Sequence, residues 1–309
     1  MDGLTVDTPR GRFGVRVAGP ADGRPVLCVH GFPDDAGTWD ALAAALAARG
    51  HRVVAPYLRG YHPSPVAGDL SLGALADDVL AVLDAVAPGG RACYVGHDYG
   101  SQIGYDLLTR RPERFAAAVT LAGAHPANIS RVIGRHPRQW WMSRYIALFQ
   151  LKGLADRRVA ARDFAYLERL WRRWSPGLDP EPHLARVRPT FRRSMPGPIA
   201  MYRAGGFDIG DAPIAVPTLF VAGAEDGCLL PALADGQERL FAGGYEARVL
   251  NGVGHWAVPG AAGRGRWAGA GLVRAVRVVR KDLVHAEVRR RREMVRAEAR
   301  RTRRRKCAA

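Results

Sequence analysis

The residues of this chain with the clearest chemical potential form one run of five, Gly96-His97-Asp98-Tyr99-Gly100. The apolar residues 92–95 before it predict a short buried strand, and the spacing of apolar residues in 101–108 predicts a helix after it. A strand, a sharp turn bounded by glycines and a helix make a nucleophile elbow, whose apical side chain stands clear at a helix N-terminus. The apical residue is Asp98, so we expect a carboxylate nucleophile.

An aspartate at this apex favours attack on saturated carbon. A carboxylate with an ordinary pKa near ~3.9 is already ionised at neutral pH and needs no base to become nucleophilic. Attack on an ester or amide carbonyl would give a reactive anhydride, whereas displacement at saturated carbon gives an ordinary ester. The residue type therefore indicates an epoxide or a carbon–halogen bond. The alternative is that Asp98 only caps its helix.

Two residues further along the chain supply the other groups that such a nucleophile needs. Asp226 follows the apolar run 218–222 and His255 follows the apolar run 247–250. Both should therefore lie at the carboxyl end of a strand, the edge where open α/β sheets place their sites. The order nucleophile, acid, histidine is the order that this architecture uses. We expect Asp226 to orient His255 and His255 to activate water, although a turn aspartate and a surface histidine also fit.

Donors for developing negative charge are expected from two backbone amides. The run His30-Gly31-Phe32-Pro33 follows a strand that should lie beside the elbow strand, so its loop can aim the N–H of Phe32 at the site. The N–H of Tyr99, directly after Asp98, is the second candidate. The alternative is a simple His-Gly turn.

The elements that must position these groups alternate between strand and helix. Such alternation is typical of a mostly parallel, doubly wound sheet covered on both faces, so the predicted fold class is α/β. The predicted strands are residues 11–18, 25–29, 52–55, 92–95, 117–121, 218–222 and 247–250. The predicted helices between them are residues 39–49, 71–86, 101–108 and 231–241.

The alternation stops in the middle of the chain. Helix-like segments and clustered aromatic residues fill the space between the strand ending at Leu121 and the strand starting at Thr218. The simplest interpretation is a helical cap, residues 125–211, inserted between two parts of one core, residues 1–124 and 212–268. Residues 269–309 would form a basic C-terminal helix or tail, partly disordered.

Composition limits the class of protein. The net charge is +17, but residues 261–309 alone hold 17 lysines and arginines against 4 acidic residues, so we assign the basicity to the tail. There is no signal-peptide pattern and no apolar stretch near the ~18 residues that a membrane helix needs. The four cysteines show neither metal-ligand spacing nor a paired pattern. We expect a cytoplasmic protein that does not bind a membrane. We expect any contact with nucleic acid to involve only the basic tail.

Taken together, the GHDYG and HGFP runs, Asp226 and His255 resemble the epoxide hydrolases of the α/β-hydrolase fold, over about residues 11–256. The resemblance implies two cap tyrosines that protonate the epoxide oxygen, and Tyr145 and Tyr202 match the family positions. It also implies a small apolar epoxide and water as reactants, with no cofactor and no metal. A homodimer remains an open possibility.

The aromatic cluster of the cap should supply the walls of the substrate pocket. We expect Trp140, Trp141 and Phe149 there. The two tryptophans also leave a dehalogenase as an alternative function, because dehalogenation needs donors that stabilise the departing halide. Tyrosine at position 99 disfavours the dehalogenase.

The chain departs from this family after His255. A compact closing helix is usual there, whereas residues 257–266 are glycine-rich and the end of the chain is mostly arginine, alanine and glutamate. A solvated tail, a polyanion-binding tail on a non-catalytic protein, and a reading-frame change in a GC-rich gene are the three interpretations.

Overall fold

The computed structural model of the protein describes residues 1–205 and 209–257. Residues 258–266 of the glycine-rich segment and the predicted basic helix or tail, residues 269–309, thus lie outside the described residues. Eight strands form one sheet. They are β1 (Asp2–Thr8), β2 (Gly11–Ala18), β3 (Arg24–Val29), β4 (His51–Pro56), β5 (Ala92–His97), β6 (Phe115–Leu121), β7 (Thr218–Gly223) and β8 (Tyr245–Leu250).

The order of the strands is β1-β2-β4-β3-β5-β6-β7-β8. The pairs β1–β2 and β2–β4 are antiparallel, and every pair from β4–β3 to β7–β8 is parallel. This mostly parallel sheet confirms the predicted fold class. In the register of β3 with β5, Val29 lies opposite Gly96, so the loop that carries Phe32 starts beside the elbow.

The central strands are buried on both faces, as their continuous apolar runs predict. Leu27 and Tyr94 belong to one apolar cluster, and Val26 and Val95, which alternate with them, belong to a second cluster on the other face. Cys28 and Cys93 are buried in these strands. The sheet therefore forms a rigid central layer whose carboxyl edge carries the loops of the site.

The described helices are distributed around this sheet in two groups. The first group connects consecutive strands from β3 to β6 and consists of α1 (Asp40–Ala47), α2 (Leu72–Val86) and α3 (Tyr99–Arg110). Between β6 and β7 lie α4 (Pro126–Val132), α5 (Pro137–Met142), α6 (Arg144–Gln150), α7 (Leu154–Trp174), α8 (Glu181–Ser194) and α9 (Gly197–Ala204). We call residues 126–204 the helical insertion. Within the described ranges, no helix combines the length and the apolar character needed to cross a membrane.

Two predictions of secondary structure need correction. Strand β1 was not predicted, because it pairs only with β2 at the edge of the sheet and most of its side chains are exposed, which leaves no apolar pattern. The single helix predicted over residues 231–241 is instead two short 3-10 helices, Pro231–Ala234 and Gln237–Leu240. Gly236 separates them with a φ of +77°, a left-handed conformation that a continuous α-helix excludes.

The helical insertion is much more basic than the rest of the chain before residue 261. Residues 126–204 contain 16 lysines and arginines against 5 acidic residues, a net charge of +11. The other residues before position 261 contain 13 basic and 20 acidic residues, a net charge of −7. The basicity is therefore shared between the tail and the insertion, which corrects its assignment to the tail alone.

The close packing of the elbow against β3 gives a first test. A Cβ atom at Gly100 would lie 2.1 Å from the carbonyl oxygen of Val29, so Gly100→Ala forces two backbone segments apart. We expect the free energy of unfolding to fall by at least about 1–3 kcal/mol, measured by urea denaturation.

The matched control is Gly73→Ala in α2, where no heavy atom lies within 4 Å of the added Cβ. Alanine favours a helix over glycine by up to about 1 kcal/mol, so this variant should be as stable as the parent or more so. Equal stability of the two variants would contradict the packing argument.

Candidate active site

The elbow holds Asp98 in a backbone conformation that few residues adopt. Strand β5 ends at His97, helix α3 starts at Tyr99, and Asp98 between them has φ 53° and ψ −117°. Such a conformation costs on the order of 1–3 kcal/mol and needs support from its surroundings. The N–H of Asp98 donates to the carbonyl of Leu121 at 2.9 Å. A Cβ atom at Gly31 would lie 2.5 Å from Oδ1 of Asp98, so only glycine leaves room for the apical carboxylate.

The carboxylate of Asp98 faces both of its predicted partners. Oδ1 accepts a hydrogen bond from the N–H of Phe32 at 2.8 Å, and Oδ2 lies 3.5 Å from Nε2 of His255. Burial alone would raise the pKa of Asp98, but His255, His97 and the Phe32 amide outweigh it and the pKa is lowered. The carboxylate is therefore ionised at neutral pH.

His255 is fixed by the acid that the sequence assigns to it. Nδ1 of His255 lies 2.9 Å from Oδ2 of Asp226, and both side chains are fully buried. The other oxygen of Asp226 accepts from the backbone N–H groups of Cys228 at 2.6 Å and Leu229 at 2.9 Å. The three predicted residues Asp98, Asp226 and His255 are thus brought together at the carboxyl edge of the sheet.

The two carboxylates control the proton on His255. Burial disfavours the imidazolium, but Asp226 and Asp98 on either side raise the pKa of His255 to about 10. The imidazole is therefore protonated at neutral pH, beside the ionised carboxylate of Asp98. His97, buried against His255, has its pKa lowered to about 4, chiefly by burial, and its Nε2–H donates to the carbonyl of His255 at 3.0 Å.

Tyr145 and Tyr202 come from two helices of the insertion, α6 and α9, and their ring centroids lie 5.8 Å apart. Both line the cavity that contains Asp98. The pKa of each is raised well above 10, mainly by burial, so both phenols keep their protons. Tyr99, at the start of α3, donates its hydroxyl to the carbonyl of Met201 at 3.3 Å. The role of its amide remains a prediction.

The cavity in front of Asp98 has a volume of about 1110 Å³. Trp140 lines it, with 62% of its surface exposed. The side chain of Trp141 is 66% exposed and stacks under Arg144 at 4.1 Å, outside the cavity wall. Phe149 is fully buried behind the wall, 5.5 Å from the ring of Tyr145 and 5.4 Å from that of Tyr202. Of the three aromatics predicted for the pocket, the structure thus places only Trp140 on its surface, while Phe149 supports the tyrosines.

Sequence reasoning missed a buried ion-pair group behind the triad. Asp34 accepts a hydrogen bond from the indole N–H of Trp256 at 3.1 Å and pairs with Arg186 of α8 at 2.5 Å. Arg186 also pairs with Asp35. These contacts tie the loop that carries Phe32 to the residue after His255 and to the insertion. The adjacent Asp34-Asp35 was the only signal in the sequence.

Sequence reasoning also gave Cys228 no role. Its buried side chain lines the cavity with Asp98, and its Sγ lies 3.7 Å from the hydroxyl of Tyr145. Burial, Asp226 and Asp98 raise the pKa of this thiol well above its ordinary value, so it stays protonated. The thiol is therefore a neutral neighbour of the nucleophile.

The sheet, the elbow and the Asp-His-Asp arrangement together define an α/β hydrolase whose elbow residue is an aspartate. Residues 24–261 match the family model described as alpha/beta hydrolase fold. The chain belongs to this family.

Several curated relatives are similar to this chain in sequence. Epoxide hydrolase A of Mycobacterium tuberculosis is 29% identical over 296 residues, which cover 81% of this chain and 90% of that protein. An epoxide hydrolase of Caballeronia sordidicola is 29% identical over 280 residues, covering 77% and 83%. The AB hydrolase superfamily protein YfhM of Bacillus subtilis is 30% identical over 175 residues, covering 55% of this chain and 61% of that protein.

Solved structures share the fold at lower identity. The epoxide hydrolase of Bacillus megaterium, in complex with an inhibitor, superposes with a TM-score of 0.75 at 19% identity, covering 91% of this chain and all of that chain. A structure from metagenomes of hot environments, described as an epoxide hydrolase of the α/β-hydrolase superfamily, gives a TM-score of 0.76 at 22% identity, covering 90% and 97%.

The ion-pair group behind the triad gives a second test. Arg186→Met would leave the buried carboxylates of Asp34 and Asp35 without their cation, so we expect a loss of about 3–5 kcal/mol in the free energy of unfolding. Arg172→Met is the control, because Arg172 pairs with Glu168 on an exposed helix face, where such a pair contributes no more than about 1 kcal/mol. Chemical denaturation of both variants measures the difference. Similar losses would show that Arg186 is not needed to compensate these charges.

Proposed function

We propose that this protein is an epoxide hydrolase that opens an epoxide to a vicinal diol through a covalent ester on Asp98. The observation that carries the proposal is the ionised Asp98 in one cavity with two protonated tyrosines, Tyr145 and Tyr202. A nucleophile and neutral acids on the same cavity are what ring opening requires. The curated relatives that are named epoxide hydrolases support this choice.

In the first step, a carboxylate oxygen of Asp98 attacks an epoxide carbon and the carbon–oxygen bond of the ring breaks. The alkoxide that leaves takes a proton from Tyr145 or Tyr202, which are held neutral by burial. The product is a hydroxyalkyl ester of Asp98.

Ester formation then changes the state of His255. The ester removes one of the two negative charges that raise the pKa of His255, so this pKa falls and the imidazole gives up its proton. That proton restores the one supplied by the tyrosines. His255, still oriented by Asp226, becomes the base at the moment when a base is needed.

In the second step, neutral His255 takes a proton from water and the hydroxide attacks the carbonyl carbon of the ester. The N–H of Phe32, which already points at the carboxylate of Asp98, stabilises the oxyanion, and we assign the N–H of Tyr99 as the second donor. Collapse breaks the ester bond, and the departing alkoxide takes the proton of the newly added hydroxyl group and leaves as the diol, so the carboxylate of Asp98 is restored beside the imidazolium. The chain's own side chains supply every proton transfer in this sequence.

The same proposal covers the surroundings of the site. We propose that the helical insertion acts as a cap that brings the tyrosines over Asp98. A cavity of about 1110 Å³ would also admit epoxides larger than the small apolar substrate that the sequence predicts. The cytoplasmic location and a homodimer remain predictions.

The covalent intermediate gives the third test. Asp98→Ala should abolish turnover, because no other carboxylate occupies the apex. His255→Gln should stop the second step, so an adduct of protein plus one substrate mass should accumulate. Intact-mass spectrometry after mixing with an aryl or alkyl epoxide detects it. An inactive His255→Gln variant without any adduct would contradict the covalent route.

The tyrosines give the fourth test, which separates epoxide opening from dehalogenation. Tyr145→Phe and Tyr202→Phe should each slow formation of the ester in part, because one phenol remains. The double variant should lose at least about 10²–10⁴-fold in single-turnover rate, as expected for loss of a general acid. Hydrolysis of the ester should be unaffected.

Haloalkanes are the matched control substrates, because a halide leaves without a proton. Turnover of haloalkanes but not of epoxides would favour a dehalogenase. Ester formation at the parent rate in the double variant would exclude the tyrosines as acids.

A further inference from the structure

We propose that Asp98, Cys228 and His255 together form a binding site for one divalent transition-metal ion with affinity for sulfur, Zn²⁺ being the probe, and that the bound ion blocks the site. Among the described residues, these three side chains bring one ligand atom each to within 4.8 Å of one another. The inhibitory part of this inference rests on the proposed function, whereas binding of the ion does not.

The three ligand atoms suit zinc in kind and in spacing. A carboxylate oxygen, an imidazole nitrogen and a thiolate sulfur are the donors that zinc selects, with bond lengths of about 2.0–2.3 Å. Donors on one tetrahedral ion are therefore roughly 3.3–3.8 Å apart. Oδ2 of Asp98 and Nε2 of His255 already lie 3.5 Å apart. Sγ of Cys228 lies within 4.8 Å of both atoms, so a small movement of this side chain is needed to bring it to bonding distance of the same ion.

The two ring nitrogens of His255 have different roles in this proposal: Nε2 would bind the ion, and Nδ1 is held by Asp226. Its Nε2 is buried, makes no hydrogen bond within the described part of the chain, and faces Oδ2 of Asp98 at 3.5 Å, an ion pair that the metal ion would replace. Its Nδ1 is bound to the carboxylate of Asp226 at 2.9 Å, and a carboxylate behind a histidine is the usual support of a metal-binding imidazole. Nε2 thus lies close to the ligand atoms of both Asp98 and Cys228.

Coordination of the ion releases protons from the site and changes no oxidation state. The ion replaces the thiol proton of Cys228 and the proton held by His255, so both protons are released to solvent as the metal–sulfur and metal–nitrogen bonds form. The carboxylate of Asp98 binds as it is. An ion in this position occupies the lone pairs of the nucleophile and of the base, so it acts as a reversible inhibitor.

Titration calorimetry with the full-length protein tests the binding. We expect one zinc ion per chain through this site, and a dissociation constant for Cys228→Ala raised by more than about 10–100-fold, the loss typical of a change that only supports a ligand. Cys28→Ala and Cys307→Ala are the controls, because Cys28 is buried in β3 and Cys307 lies in the C-terminal tail. Both should bind as the parent does. Equal affinity in Cys228→Ala, or loss of the zinc site in Cys307→Ala alone, would overturn the proposal.

Cobalt gives a readout that does not depend on catalysis. Co²⁺ in the same site should show a near-ultraviolet thiolate-to-metal charge-transfer band and visible bands of tetrahedral intensity. Both should be lost in Cys228→Ala and kept in Cys307→Ala. Absence of the charge-transfer band in the parent protein would show that Cys228 is not a ligand.

Inhibition is measured separately. Zinc should reduce epoxide turnover of the parent protein in proportion to occupancy, a chelator should restore it, and the turnover that Cys228→Ala retains should resist the same zinc concentration. A cobalt band that depends on Cys228 in a protein without epoxide turnover would leave the metal site standing and refute the proposed function instead. Undiminished turnover at full occupancy would refute the inhibitory role.

Discussion

The position of His255 between two buried carboxylates is the interaction on which the rest of the site depends. Asp226 at 2.9 Å and Asp98 at 3.5 Å hold its proton so firmly that the pKa of His255 rises to about 10 against the effect of burial. The same imidazolium lowers the pKa of Asp98. The resting site is therefore an ionised nucleophile beside a protonated histidine. Only chemistry at Asp98 that removes its charge can turn His255 into a base, which gives the two proposed steps their order.

This arrangement imposes demands on the backbone around it. Asp98 must keep a positive φ, and the loops from β3 and β6 must pass within contact distance of the elbow. Glycines at positions 31 and 123 make this approach possible, since a Cβ atom at Gly123 would lie 2.8 Å from the carbonyl oxygen of Asp98. Close packing of these two glycine-containing loops against the elbow thus helps to hold Asp98 in its strained conformation.

Much of this could be predicted from local sequence. The parallel strands, the elbow, and the order Asp98, Asp226, His255 follow from apolar runs and the residues directly after them. Contacts across the chain could not be predicted, because no local pattern encodes them: Asp34 and Arg186 are separated by 152 positions. Local signals also failed where burial was weak, as in β1, and where Gly236 interrupts an apolar pattern of helical spacing.

The charges of the site also determine the chemistry of Cys228. Burial and two neighbouring carboxylates keep its thiol protonated, so it does not compete with Asp98 as a nucleophile although both line one cavity. The two negative charges that suppress thiolate chemistry toward an epoxide also favour a divalent cation. A cation offsets the repulsion between the thiolate and Asp98 that makes proton loss unfavourable. The two neighbouring carboxylates are therefore a common cause of the low nucleophilicity of the thiol and of the proposed affinity for a metal ion.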